Sequence, residues 1–86
     1  MADGLRLDKF LWFARIVKTR ALAQELAQNG RIRISGRLVE RASAPVKVGD
    51  VLSFALRGEV RVLKIEALPV RRGPPAEARA LLAISR

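Results

Sequence analysis

The sequence predicts an α+β fold in which two N-terminal helices pack on a small, mainly antiparallel sheet with a β-hairpin, followed by a short C-terminal helix. Three observations carry that expectation. Apolar residues recur with helical spacing as far as Asn29 and then alternate with period two from Arg31. Eighty-six residues, half of them hydrophobic, suffice for one small core and not for two. The chain has no Cys, so neither disulfides nor thiolate-held metals substitute for that core.

Met1 to Leu5 reads as a short leader. Asp8 then precedes a stretch in which seven of the nine residues from Lys9 to Val17 are apolar, the pattern of a buried helix with Asp8 as its N-cap. Thr19 starts a second helix over Arg20 to Asn29. Its apolar positions Leu22, Ala23, Leu26 and Ala27 form one stripe, and Gly30 ends it in the left-handed conformation. Arg31-Ile32-Arg33-Ile34, the two-residue turn Ser35-Gly36 and Arg37-Leu38-Val39 spell a hairpin. Pairing Ile34 with Arg37 and Ile32 with Val39 gives it a packing face of Ile32, Ile34 and Val39, with Arg31 and Arg33 on the other.

A loop with Pro45 and a Gly49-Asp50 turn leads to strands Val51 to Leu56 and Val60 to Leu68 around Arg57-Gly58. Alternation lapses at Val62-Leu63, which marks a bulge or an edge position. Beyond Pro69, the stretch Arg71-Arg72-Gly73-Pro74-Pro75 is a break, and Ala76 to Ile84 reads as a short helix. The expected division is a domain over 5–68 with an appendage over 69–86. Phe10, Phe13 and Phe54 are assigned to the core, and Trp12 to packing rather than to base stacking.

Charge narrows the function. The net charge is +9 at pH 7, and 13 of the 17 basic residues are Arg, whose planar donor fork matches phosphate. A polyanionic partner, nucleic acid before others, is expected. The absence of both His and Cys removes the usual general base, nucleophile and metal ligands, so no catalytic residue, metal, cofactor or small-molecule substrate is expected. No apolar run is long enough for a membrane span and no signal core is present, which points to a cytoplasmic protein without a membrane role. An amphipathic membrane-surface helix is disfavoured too, because the first helix is apolar almost all round.

Residues 6 to 41 hold nine basic and three acidic side chains, a net +6. Lys18, Thr19 and Arg20 sit where the first amides of the second helix are free and its dipole is positive, a favourable place for phosphate. Arg20, Gln24 and Gln28 recur every four residues along that helix. The candidate anion surface therefore gathers Arg15, Lys18, Thr19, Arg20 and Gln24 with Arg31 and Arg33 of the hairpin, and Arg37 at its rim.

The residues so assembled resemble the alpha-L RNA-binding domain, the family named for small-subunit ribosomal protein four. The match runs from Arg6-Leu7-Asp8 through Lys18-Thr19-Arg20, Ala23 to Leu26, Gly30, Ile32-Arg33-Ile34-Ser35-Gly36 and Val46 to Gly49-Asp50-Val51. The opening Arg-Leu-Asp-Lys-Phe-Leu-Trp and the later Lys-Thr-Arg-Ala-Leu-Ala are most similar to the ribosome-associated heat-shock branch of that family. The resemblance implies an alpha-L motif and binding to structured ribosomal RNA on the large subunit, with tRNA as a further partner. It adds Arg6 and Lys9 to the RNA-facing residues. Where the family usually has Asn at the hairpin turn, this chain has Ser35. The expected function is thus non-catalytic recognition of RNA shape and phosphate positions. An accessory RNA-binding module for tRNA or an RNA-modifying system, and a DNA-binding protein, are the alternatives.

Overall fold

The computed structural model describes residues 4–79 and 81–84. Residues 1–3 of the expected leader, Ala80 of the expected C-terminal helix and residues 85–86 of the expected appendage lie outside the described residues. The chain runs β1 (Leu5–Arg6), α1 (Leu7–Phe13), α2 (Arg20–Gln28), β2 (Ile32–Ile34), β3 (Arg37–Val39), β4 (Pro45–Val46), β5 (Val51–Leu56), β6 (Glu59–Ile65), α3 (Pro75–Arg79) and β7 (Leu82–Ile84). Five strands form an antiparallel sheet in the order β3-β2-β5-β6-β7, and β1 pairs with β4 in a separate two-stranded ribbon. The α+β expectation holds, with two N-terminal helices, the hairpin and a C-terminal helix.

The hairpin has the register expected from alternation, with Ile34 opposite Arg37 and Ile32 opposite Val39. Its turn places Ser35 at φ 49° and Gly36 at φ 88°, two positive values that match the right-handed strand twist. Ser35 tolerates this because its neighbourhood holds it. Its amide donates to the Val51 carbonyl at 2.7 Å, and its hydroxyl donates to an Asp50 carboxylate oxygen at 3.2 Å. The β5–β6 hairpin repeats the device with Arg57 at φ 53° and Gly58 at φ 79°. Its register runs without a break from Val51 opposite Lys64 to Leu56 opposite Glu59, so no bulge interrupts the Val62-Leu63 step.

One core joins the helices to one face of the sheet. Leu7, Phe10, Leu11, Ala23, Leu26 and Ala27 pack with Ile32, Leu52, Phe54, Leu63 and Ile65. Leu22 is not part of that stripe; it is 46% exposed, since only positions 23, 26 and 27 face α1. Phe13 is half-buried beside Trp12, with ring centroids 5.6 Å apart, rather than in the core. Trp12 packs against the core edge, as its assignment to packing requires.

Helix α1 departs from the expected boundaries at both ends. Arg6, not Asp8, occupies the N-cap, and it offers no side-chain cap. The orphan amides of the first turn are met by tertiary partners instead: Leu7 N–H donates to the Ala44 carbonyl at 2.8 Å and Asp8 N–H to the Ala42 carbonyl at 3.1 Å. At the other end the helix stops at Phe13 instead of continuing to Val17. Arg15 takes φ 59°, its amide donates to the Trp12 carbonyl, and the Ile16 amide donates to the Leu11 carbonyl. This is the Schellman arrangement, with arginine where glycine is usual.

The C-terminal segment also differs from expectation. Helix α3 is a single turn and a half, and Leu82–Ile84 continue as a strand on β6, with Leu63 opposite Ile84 and Ile65 opposite Leu82. The open edge of β6 offers unpaired backbone groups, and pairing them outweighs the helical preference of an alanine-rich stretch. Replacing Phe10 by Ala removes a fully buried ring and costs about 3–5 kcal/mol. That is a large share of the ~5–15 kcal/mol typical of a domain, so a urea titration is expected to show the variant near the margin of folding.

Candidate nucleic-acid interface

The site is organised from a carboxylate outward. Asp8 is fully buried, and its two oxygens accept from Arg6 Nε and Nη2, both at 3.0 Å, and from the Lys9 amide at 2.8 Å. Burial alone pushes the Asp8 carboxyl up. The Arg6 hydrogen bonds, the Lys9 amide and the nearby charges of Arg6 and Arg20 outweigh it and hold the group below its ordinary value. Asp8 is structural, as expected, but as the internal partner of Arg6 within the field of Arg20 rather than as a cap.

Thr19 caps α2 as predicted: its backbone is extended (φ −131°, ψ 159°) and its hydroxyl oxygen accepts from the Leu22 amide at 3.1 Å. Lys18, Thr19 and Arg20 are all exposed, and no acidic residue occupies the first turn of α2. Cations at a helix N-terminus meet the positive end of the dipole, an arrangement that an incoming anion relieves. Gln24 is exposed one turn further along, and Lys9 is half-buried at the start of α1. The structure thus groups Arg6, Asp8 and Arg20, with Lys18 and Thr19 next to Arg20 in the chain.

The hairpin residues are placed differently. Ile32 faces the core, so Arg33 stands on the opposite face of the sheet, in a row with Leu38 and Ser53. Its Nη1 donates to the Gly36 carbonyl at 3.3 Å across the turn. Arg31 is exposed just before β2. Arg37 lines a groove of about 590 Å³ between the hairpin and the 44–47 segment, together with Arg41, Lys47, Glu40 and Asp50. The helix junction and the hairpin therefore present basic side chains on two faces rather than one.

Arg15 is placed by its left-handed backbone at the C-terminal end of α1, where its Nε donates to the Gly73 carbonyl at 2.6 Å. There it shares a cleft with Lys18 and with three residues that sequence reasoning did not single out: Arg57, Arg61 and Arg72. Local patterning carries no sign of this grouping, because it arises from the β5–β6 turn and from Arg72, whose Nε donates to the Trp12 carbonyl at 3.1 Å.

A basic helix junction on a short two-helix layer, backed by a five-stranded antiparallel sheet, defines a small α+β domain with an exposed cationic surface. The chain belongs to the S4 domain family, which it matches over residues 5–52. It is similar to Heat shock protein 15 of Escherichia coli strain K12, at 35% identity over 77 residues covering 90% of this chain. The chain spans only 57% of that relative's length. It is 41% identical over 64 residues to the RQC P-site tRNA stabilizing factor of Bacillus subtilis, covering 74% of this chain and 73% of the relative. Among solved structures it resembles Heat Shock Protein 15 of Vibrio cholerae, described as trimeric, with a TM-score of 0.88 at 29% identity over 96% of this chain and 83% of that one.

The Asp8 cluster makes a pH prediction. Because the folded state holds the Asp8 carboxyl below its ordinary value of 3.8, its contribution to stability is complete above that value and is lost as pH falls through the lowered one. Asp8→Asn is expected to lose about 1–3 kcal/mol at neutral pH, the worth of buried charge-assisted hydrogen bonds. Denaturant midpoints measured from pH 7 down to about pH 2 should converge for wild type and variant at the acid end.

Proposed function

We propose that the chain is a non-catalytic RNA-binding protein that holds structured ribosomal RNA on the large ribosomal subunit through Arg6, Lys9, Arg15, Lys18, Thr19, Arg20, Gln24, Arg31, Arg33 and Arg37. The observation that carries this reading is the exposed Lys18-Thr19-Arg20 junction, set on a buried Asp8 anchor and left without a carboxylate in the first turn of α2. Membership of the S4 domain family, and similarity to a heat-shock protein and to a factor named for P-site tRNA, support RNA as the polyanion. Recognition rests on phosphate positions and helix shape, since the deep major groove of A-form RNA hides its base edges. The ribosome-bound unit is the domain over 5–68, with 69–86 as its appendage, acting in the cytoplasm.

A second reading places tRNA in the same site. The match to the relative named for stabilising P-site tRNA takes in 73% of that relative's own length, against 57% for the Escherichia coli heat-shock protein. Gradient profiling with crosslinking separates the two readings by showing whether Lys18 and Arg20 contact ribosomal RNA, tRNA or both.

Neutralising about six phosphates predicts a log–log salt slope of roughly −4 to −5 for a ribosomal RNA fragment. Arg20→Ala with Arg33→Ala is expected to weaken binding and flatten that slope by about 1.4–1.8 while leaving the thermal melt nearly unchanged. Affinity that is indifferent to salt, or a variant that no longer folds, would count against the assignment.

A further inference from the structure

Beyond the residues the sequence marked, the α1–α2 connection, the β5–β6 turn and Arg72 enclose a cleft of about 360 Å³. Its lining carries Arg15, Lys18, Arg57, Arg61 and Arg72 against one carboxylate, Glu59. Among the described residues the ion pairs are Arg6–Asp8 and Arg71–Glu77, so none of these five cations is neutralised by a carboxylate partner. Clustering like charges without counter-charge raises the energy of the free protein and focuses a positive potential in the concavity.

Two of these cations are held rather than loose. Arg15 and Arg72 each use Nε on a backbone carbonyl, of Gly73 and Trp12 respectively, and the Arg72 guanidinium lies 5.6 Å from the centroid of the Trp12 ring. With Nε engaged, the terminal nitrogens remain to grip a phosphate in the two-pronged manner. Backbone conformation points the same way. Of the three residues other than glycine with positive φ among those described, two are Arg15 (59°) and Arg57 (53°), and both line this cleft. Glycine or asparagine would occupy those positions with less strain, and strain kept at a cleft is a mark of function.

We propose that this cleft is a phosphate-gripping subsite for the RNA backbone, so that bound RNA runs from the Lys18–Arg20 junction, through the shared Lys18, to the β5–β6 turn. Arg57, Arg61 and Arg72 lie beyond residue 52, where the family match ends, so the subsite extends the anion surface outside the S4 core. The inference rests on the RNA-binding reading and adds a second place of contact to it.

The test compares the full chain with Arg57→Asn/Arg61→Gln in binding to a structured ribosomal RNA fragment across a salt series. Asparagine tolerates the left-handed turn position, so the melting temperature is expected to hold or rise. Loss of two phosphate contacts should flatten the log–log salt slope by about 1.4–1.8 and weaken affinity more than tenfold near ~0.1 M salt. Lys64→Gln/Arg71→Gln removes the same charge elsewhere and should change the slope by less than half as much. If wild type binds with a steep salt slope and the cleft variant binds equally well, or loses no more than the charge-matched control, the subsite is overturned while the RNA-binding reading stands. If wild type itself does not bind RNA, both fall.

Discussion

The arrangement of the N-terminal half depends on one buried carboxylate. Asp8 has no contact with solvent, and a charge in that position is tolerable only because three donors reach it, two from Arg6 and one from the Lys9 amide. Those bonds fix β1 relative to α1, and the field of Arg20 extends the constraint to the start of α2. Arg6 and Arg20 are therefore not equivalent cations. Arg6 is committed to Asp8 with its side chain 47% exposed, whereas Arg20 feels the carboxylate without bonding to it and keeps its donors for a ligand.

Both ends of α1 are closed by segments distant in sequence, and this explains how a seven-residue helix, too short to persist alone, is held in place. At its N-terminus the carbonyls of Ala42 and Ala44 take the first amides, which in turn requires the β1–β4 ribbon. At its C-terminus the Trp12 carbonyl receives Arg72 Nε, a cation at the negative end of the dipole. The second closure brings the 72–73 segment against Arg15 and so constructs the basic cleft as a by-product of ending the helix.

What the sequence displayed and what it hid follow from the range of the interactions. The Thr19 cap, the Gly30 stop and the hairpin register are set by residues within a few positions of one another, and each is legible as a local pattern. The stop of α1 is not, because arginine has no propensity for φ 59°; the bond from Arg15 to Gly73, 58 residues away, helps to hold it there. Strand β7 is hidden for a similar reason: its sequence favours a helix, and only the open edge of β6 makes a strand preferable. For the candidate site, Lys18, Thr19 and Arg20 were legible from the helix start. The separation of Arg33 onto the outer sheet face follows from Ile32 pointing inward, which alternation does show, but the direction in which the helices lie does not appear in the sequence.

The same separation bears on how the charge of +9 is tolerated. Distributed over two sheet faces and a cleft, the cations avoid a single concentrated field, yet the cleft keeps five of them together with one carboxylate. Screening by salt lowers the repulsion among them in the free protein and, at the same time, weakens attraction for a polyanion. Stability of the free chain and its attraction for a polyanion are therefore driven in opposite directions by ionic strength. A bound phosphate backbone does what salt does, more strongly and at fixed positions, so ligand and fold reinforce one another by mass action: occupancy at a hundred times the dissociation constant adds about 2.7 kcal/mol to the native state. A domain with a small core would gain much from that term, which is a physical reason for a cleft left unneutralised in the free chain if it grips RNA as proposed.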